Sequence, residues 1–201
     1  MELAALASAV LTIFLVMDPI GNVPVFLGLL KDVKEQRRSW IVARESLFAL
    51  LILLFFLFFG PALMDLLHIG MAALYISGGV LLFIIALGMI FPNLMHRGIG
   101  EEPQLEGEPF IVPLATPLLA GPSTMATIMI FTSRQEGMLW RWVLALGLAW
   151  IFSTIILLLS HRLSRLLGPR GLLACERLMG MILTVIAVQM FLDGVRQFWT
   201  K

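Results

Sequence analysis

Two proline-bracketed breaks interrupt apolar segments of membrane-spanning length: Asp18-Pro19-Ile20-Gly21-Asn22-Val23-Pro24 near the start, and Thr116-Pro117-Leu118-Leu119-Ala120-Gly121-Pro122-Ser123-Thr124 in the second half. A helix broken inside hydrocarbon exposes N–H and C=O groups that no water can satisfy. Such a break survives only where it lines a cavity or binds something. The surrounding solvent is fixed by composition, because a chain of 201 residues that is 60% hydrophobic and 13% charged cannot hide its apolar surface in a water-soluble fold of that size. The pattern therefore predicts an all-α membrane protein with the organisation of a transporter.

Several classes of function are excluded or disfavoured at this level. A net charge of +1, with Lys and Arg confined to short inter-helix loops, lacks the concentrated basic face that nucleic acid requires. The single cysteine, Cys175, permits no internal disulfide, and His68 and His161 lie at segment ends without a partner at metal-ligand spacing, so neither metal nor cofactor is expected. No HExxH pattern, no Ser/His pair at helical spacing and no Walker-type phosphate loop is present, which argues against an intramembrane enzyme and against an ATP-driven pump.

Six segments approach the roughly 20 residues needed to cross about 30 Å of hydrocarbon: 3–30, 46–64, 69–91, 110–133, 142–160 and 178–192, the last lengthened by 193–199. The first lacks a basic leader and a small-residue cleavage site, so it reads as a span and not as a removable signal peptide. The sizeable polar connection, 92–109, carries Glu101, Glu102, Glu106 and Glu108 among prolines and glycines and reads as a solvated linker. The chain thus forms one transmembrane domain, 1–201, divided into repeat one (1–91), the linker and repeat two (110–201). Ten of the 14 Lys and Arg residues fall on one side of the six spans, including Lys31, Lys34, Arg37, Arg38, Arg162, Arg165 and Arg170. The positive-inside rule makes that side cytoplasmic and turns both termini outward. Trp142, Trp150 and Trp199 fit an interfacial belt, with a deeper position left open for Trp150.

The halves repeat. Pro19 and Pro24 are five apart, as are Pro117 and Pro122, so an offset of 98 superposes both pairs and sets Asp18 opposite Thr116. Near the end of each half an offset of 101 sets Gly79-Val80-Leu81-Leu82 against Gly180-Met181-Ile182-Leu183 and Ala86 against Ala187. Three spans per half is an odd number, so the second copy enters the membrane from the opposite side. The expected fold is two inverted three-helix repeats with spans 1 and 4 broken by Pro and Gly, an arrangement that places substrate between the breaks near the midplane.

Pro19 cannot donate an N–H and disfavours helical geometry at Asp18, so the first half-helix should end near Met17 with free carbonyls that attract cations. Asn22 is a good N-cap type and Pro24 suits a first turn, which predicts a second half-helix from about Val23 with its positive end facing the gap. In the other break, which also holds Pro117, Gly121 or Thr116 turns the chain, Pro122 opens a helix, and Ser123 and Thr124 add hydroxyls beside another positive end. Together the breaks offer N–H groups to a carboxylate and carbonyls to an ammonium, the two ends of a zwitterion such as an amino acid.

Asp18 is the sharpest single residue. An ionised carboxylate near the bilayer centre costs about 2.5–3.5 kcal/mol on insertion scales, so it needs a partner, a water-filled pocket or a proton. It is a candidate proton carrier; capping of the broken backbone is the competing role. Arg44-Glu45 and Glu176-Arg177 stand at the expected cytoplasmic boundary, where cross-pairing of Arg44 with Glu176 and of Glu45 with Arg177 would serve as a gate or as scaffold. Ser77-Gly78-Gly79 and Gly180 permit close helix packing, and Phe55–Phe59 reads as lipid-facing bulk.

The stretches Asp18-Pro-Ile-Gly-Asn-Val-Pro24, Ile111-Val-Pro-Leu-Ala-Thr-Pro117 and Ala120-Gly-Pro122 resemble the paired signatures of the MarC family of bacterial inner-membrane proteins. Glu108-Pro-Phe110, Glu176-Arg-Leu-Met-Gly180 and Met190-Phe-Leu-Asp-Gly194 are similar to its YhgN-type branch. The resemblance covers nearly the whole chain, with Thr116 standing where similar chains often carry an aliphatic residue. It implies a multi-pass inner-membrane protein that carries glycine, alanine and related small neutral amino acids. The combined expectation is a secondary transporter of such amino acids, proton-coupled and embedded in the bilayer. An exporter of drugs or other small metabolites, or a channel, is the alternative.

Overall fold

The computed structural model describes residues 2–30, 33–91, 114–134 and 139–199, and every element in them is helical. The expected linker 92–109 and the entry to the fourth expected span, 110–113, lie outside the described residues. In chain order the elements are α1 (Glu2–Met17), α2 (Pro19–Leu29), α3 (Glu35–Leu66), α4 (Met71–Ile90), a π-helical turn (Leu114–Leu119), α5 (Pro122–Arg134), α6 (Leu139–Leu158) and α7 (Ser160–Trp199).

Among the described residues five helices are long and apolar enough to cross a membrane: Ala4–Leu27 across the α1/α2 break, Gln36–Leu66, Met71–Ile90, Leu139–Leu158 and Ser160–Trp199. The expected fourth span is absent from this set for a physical reason. Thr116 is extended (φ −133°, ψ 129°), which ends regular helix before Pro122. The 13 residues of α5 that follow rise only about 20 Å at 1.5 Å each, short of the hydrocarbon thickness.

Two helices overrun their expected limits. α3 starts at Glu35 and not at residue 46, so its 32 residues reach about 48 Å and carry Arg37, Arg38 and Arg44 on a helical shaft. α7 begins at Ser160 and is interrupted at Gly168 (φ 65°, ψ 176°), where only glycine adopts the backbone easily and Pro169 restarts the helix. Charge-free stretches mark where hydrocarbon lies, not where helix begins, and both helices run on through their charged ends.

Burial follows narrow stripes. On α3 the buried positions are Ile41, Val42, Glu45, Ser46, Ala49, Leu53, Leu57, Gly60 and Met64; on α6 they are Ala145, Leu146, Ala149, Ser153 and Leu157, which repeat the 45–57 part of the α3 stripe 100 residues later. The opposite faces expose Phe55, Phe58 and Phe59 on α3 and Ile151, Phe152 and Ile155 on α6. Lipid tails are as apolar as leucine, so the exposed faces need no polar residues and small or shape-matched residues mark the packed side instead. Trp150 departs from the expected interfacial belt: its indole N–H donates to Ser46 O at 2.7 Å and ties α6 to α3. Trp142 stacks on Phe131 with ring centroids 5.1 Å apart.

A first core joins α1, α2, α3, the π-turn and α6, and a second is built mainly from α4 and α7. α4 and α7 run antiparallel, since Gly194 meets Tyr75 and Ile76 at one end while Gly180 meets Ala86, Met89 and Ile90 at the other. Glycine allows this approach. A Cβ on Gly79 would lie 2.8 Å from Ala187 O and 2.9 Å from Phe191 N, and one on Gly180 would lie 3.0 Å from Ala86 O. Backbone atoms cannot swing aside, so Gly79→Ala should force the two helices apart at a cost of about 1–3 kcal/mol. The expected outcome is a thermal midpoint in detergent several degrees below wild type, whereas Gly147→Ala, which meets nothing within 4 Å, should leave it unchanged or raised.

Candidate functional site

The first break is a single residue. α1 ends at Met17 as expected, but α2 begins at Pro19 and not near Val23, so the gap consists of Asp18 alone. Asp18 adopts a left-handed backbone (φ 44°), which among non-glycine residues Asp and Asn tolerate best. Its N–H still bonds Phe14 O at 3.1 Å and thereby closes α1. Its Oδ1 accepts the N–H of Gly21 at 3.1 Å and so caps α2 from the side-chain end. The N-cap role expected of Asn22 therefore belongs to Asp18, because Pro19, with φ preset and no N–H to satisfy, opens the helix earlier. Pro24 sits inside α2, where it deprives Ile20 O of its usual donor.

Asn22 is thereby released for another task. Its side-chain NH2 donates to Met17 O at 3.1 Å, a carbonyl left over at the end of α1, and to Leu118 O in the second break at 3.4 Å. These two bonds join breaks that lie 96 residues apart in sequence. Burial around the junction is uneven: Met17 and Ala120 are fully buried and Asp18 is 5% exposed, while Asn22 and Leu118 are half-buried. Gly21 is essential to its shape, since any Cβ there would collide with the Asp18 carboxylate and with Met89 Cε, which reaches over from α4.

The second break is longer. Thr116 and Pro117 lie in the π-turn, whose wide loop is closed by the Ala120 N–H bonding Ala115 O at 2.8 Å. Thr116 Oγ1 is buried and has no hydrogen-bond partner among the described residues. Gly121 leads into Pro122, the first residue of α5, and Ser123 and Thr124 occupy its first turn, 2% and 1% exposed. The helix starts at Pro19 and Pro122 differ by 103 residues. The structural counterpart of Asp18 as the residue before the helix is thus Gly121, and not Thr116 as the 98-residue offset suggests.

The charged pairs differ from expectation. Arg44 pairs with its own neighbour Glu45, Nη2 to Oε1 at 2.7 Å and Nε to the same oxygen at 2.8 Å, in place of cross-pairing with Glu176. Arg44 also lies over the Trp40 ring, 4.8 Å from its centroid. Glu45 is wholly buried, so its charge is held by this local arginine clamp. Glu176 is half-buried and Arg177 exposed on α7.

Sequence reasoning did not foresee Met89, whose role depends on the α4 crossing, nor the tie between Trp150 and Ser46. Gly21 was the available signal for the former: a glycine beside a cap in the middle of a span implies that something comes close. Among the described residues no group of three or more His, Cys, Asp or Glu could hold a metal ion.

The whole chain is similar to known membrane proteins. A family model described as "MarC family integral membrane protein" matches residues 3–199. The "UPF0056 inner membrane protein YhgN" of Escherichia coli K12 is 47% identical over 96% of this chain and 97% of its own. "UPF0056 membrane protein BU449" of Buchnera aphidicola (strain APS) is 42% identical over 96% of this chain and 97% of its own. A "UPF0056 membrane protein" of Chlamydia muridarum is 35% identical over 92% and 90%. No solved structure matches. With its apolar helices and this relationship over nearly its full length, the chain is a multi-pass inner-membrane protein and belongs to the MarC family.

Proposed function

We propose that this protein is a secondary transporter of small neutral amino acids of the glycine and alanine type, proton-coupled through Asp18 and working by alternating access between two inverted three-helix repeats. The observation that carries the reading is the Asn22 amide shared between a carbonyl of each break. An amide donating two N–H groups to two carbonyls is a stand-in for an ammonium. A substrate that displaces it would meet Met17 O and Leu118 O with its own N–H groups, while its carboxylate faces the first turn of α5, where Ser123 and Thr124 carry N–H groups at the positive helix end. Thr116 Oγ1 adds a buried hydroxyl whose lack of a partner costs about 1–3 kcal/mol, a penalty that water or substrate would remove.

The repeat reading rests on reciprocity. Gly79 packs on Ala187 and Gly180 on Ala86, so an offset of 101 exchanges the two members of each contact across an antiparallel helix pair. The buried stripes of α3 and α6 match at an offset of 100. Counting α1 with α2 as one broken span, and 110–134 as its counterpart, gives six spans. The arginine-bearing ends of α3 and α7 then face the cytoplasm and both termini the periplasm. Asp18, buried where charge is costly, is the group proposed to take up the coupling proton.

Reconstituted protein should accumulate labelled glycine or alanine saturably in proteoliposomes. Saturable flux of neither removes the substrate class, and non-saturable flux indicates a pore. Asn22→Leu, which deletes both bridging bonds, should lower the initial uptake rate by about tenfold or more. For Asp18→Asn, substrate exchange across the membrane should persist while accumulation driven by a pH gradient is lost; accumulation equal to wild type would sink the proton role.

A further inference from the structure

A second site lies away from the breaks, where the end of α2, the start of α3, the end of α6 and the start of α7 converge. They enclose a cavity of about 290 Å³ lined by Arg38, Ser39, Ser160, His161 and Arg162, with Leu30 and other leucines forming its apolar wall. Among the described residues its lining holds two guanidiniums, an imidazole and two hydroxyls, and no carboxylate. The Arg38 Nε–H donates to Val33 O at 2.9 Å, which fixes the direction of the guanidinium at the mouth of the first turn of α3. Two helices begin here, α3 at Glu35 and α7 at Ser160, and two end here, α2 and α6, so the helix dipoles largely offset one another and the positive potential comes from the arginine side chains. None of the proposed transport groups lies in it.

We propose that this cavity binds a phosphate group carrying negative charge, and that its position beside exposed leucines suits the headgroup of an anionic phospholipid whose tails lie along the α2 and α6 ends. Leu158 and Leu159, 39% and 43% exposed, extend the wall of the cavity toward the surface that lipid tails would cover. Two arginines from different helices grip a phosphate by several N–H groups at once, whereas a neutral zwitterionic headgroup carries its own ammonium into the basic pocket and is disfavoured.

The test is native mass spectrometry of the detergent-purified full-length protein with phosphatidylglycerol, phosphatidylcholine or inorganic phosphate. Wild type should retain phosphatidylglycerol at least about tenfold better than phosphatidylcholine, and R38Q with R162Q should remove that preference. Arg162 is exposed, so R162Q alone keeps the test usable if the double variant fails to fold; it should lower retention several-fold while R162K restores it. R141Q, in α6 at the opposite end of that helix, should retain lipid as wild type does. Retention of inorganic phosphate that R162Q abolishes, without preference for phosphatidylglycerol, assigns the site to a free phosphate compound. Equal retention of both lipids together with no phosphate binding, or retention unaffected by R162Q, overturns the proposal.

Discussion

Everything at the centre of this protein depends on the satisfaction of backbone groups that a broken helix leaves in a medium without water. A carbonyl abandoned in hydrocarbon costs several kcal/mol, so each break must find donors within the protein. The first break solves this with two adjacent side chains. Asp18 supplies an acceptor to Gly21 N–H, and Asn22 supplies donors to Met17 O and, across the bundle, to Leu118 O. The cap and the bridge are divided between neighbours because Pro19 lets α2 begin at once and leaves Asn22 one turn in, facing back toward the gap.

The rest of the fold serves this junction. Fully buried residues on both sides limit its contact with solvent, which favours the amide-to-carbonyl bonds. Met89 closes the junction from α4, and α4 is held in reach by its glycine-mediated contact with α7. The small-residue packing of the second core and the polar arrangement of the breaks are therefore one mechanical unit. A shift of α4 against α7 moves the methionine that covers Gly21.

Much of this was legible in the residues and the remainder was not, for reasons that can be named. Apolar runs revealed the membrane class, Pro19 marked the end of α1 and Pro122 the start of α5, whereas the start of α2 was placed too late. The small residues of Gly79 and Gly180 announced the close crossing. The extents of α3 and α7 were misjudged because helix continues through charged interfacial turns that a hydropathy reading discards. The assignment of Asn22 as a cap failed because two capable residues stand four apart and only the backbone at Asp18, with its positive φ, decides between them. The pairing of Arg44 also escaped, since adjacent residues on a helix do not usually face one another. Here the long guanidinium arm folds back over Trp40 and reaches Glu45 from outside the bundle.

The asymmetry between the breaks is itself informative. A one-residue hinge capped by its own carboxylate has few ways to rearrange, because moving Asp18 uncaps α2 and reopens α1 together. The second break has an extended Thr116, a π-turn and a glycine before α5, so its peptide groups can reorient without unwinding a whole helix. Conformational change is therefore expected to be absorbed on the Thr116–Gly121 side, with the Asp18 side acting as the fixed reference. Asn22, anchored at one end to Met17 O at 3.1 Å, holds Leu118 O by the longer bond of 3.4 Å. The weaker of its two bonds is the one that spans the bundle, and its rupture would part the two breaks while α1 and α2 stay joined through Met17 O.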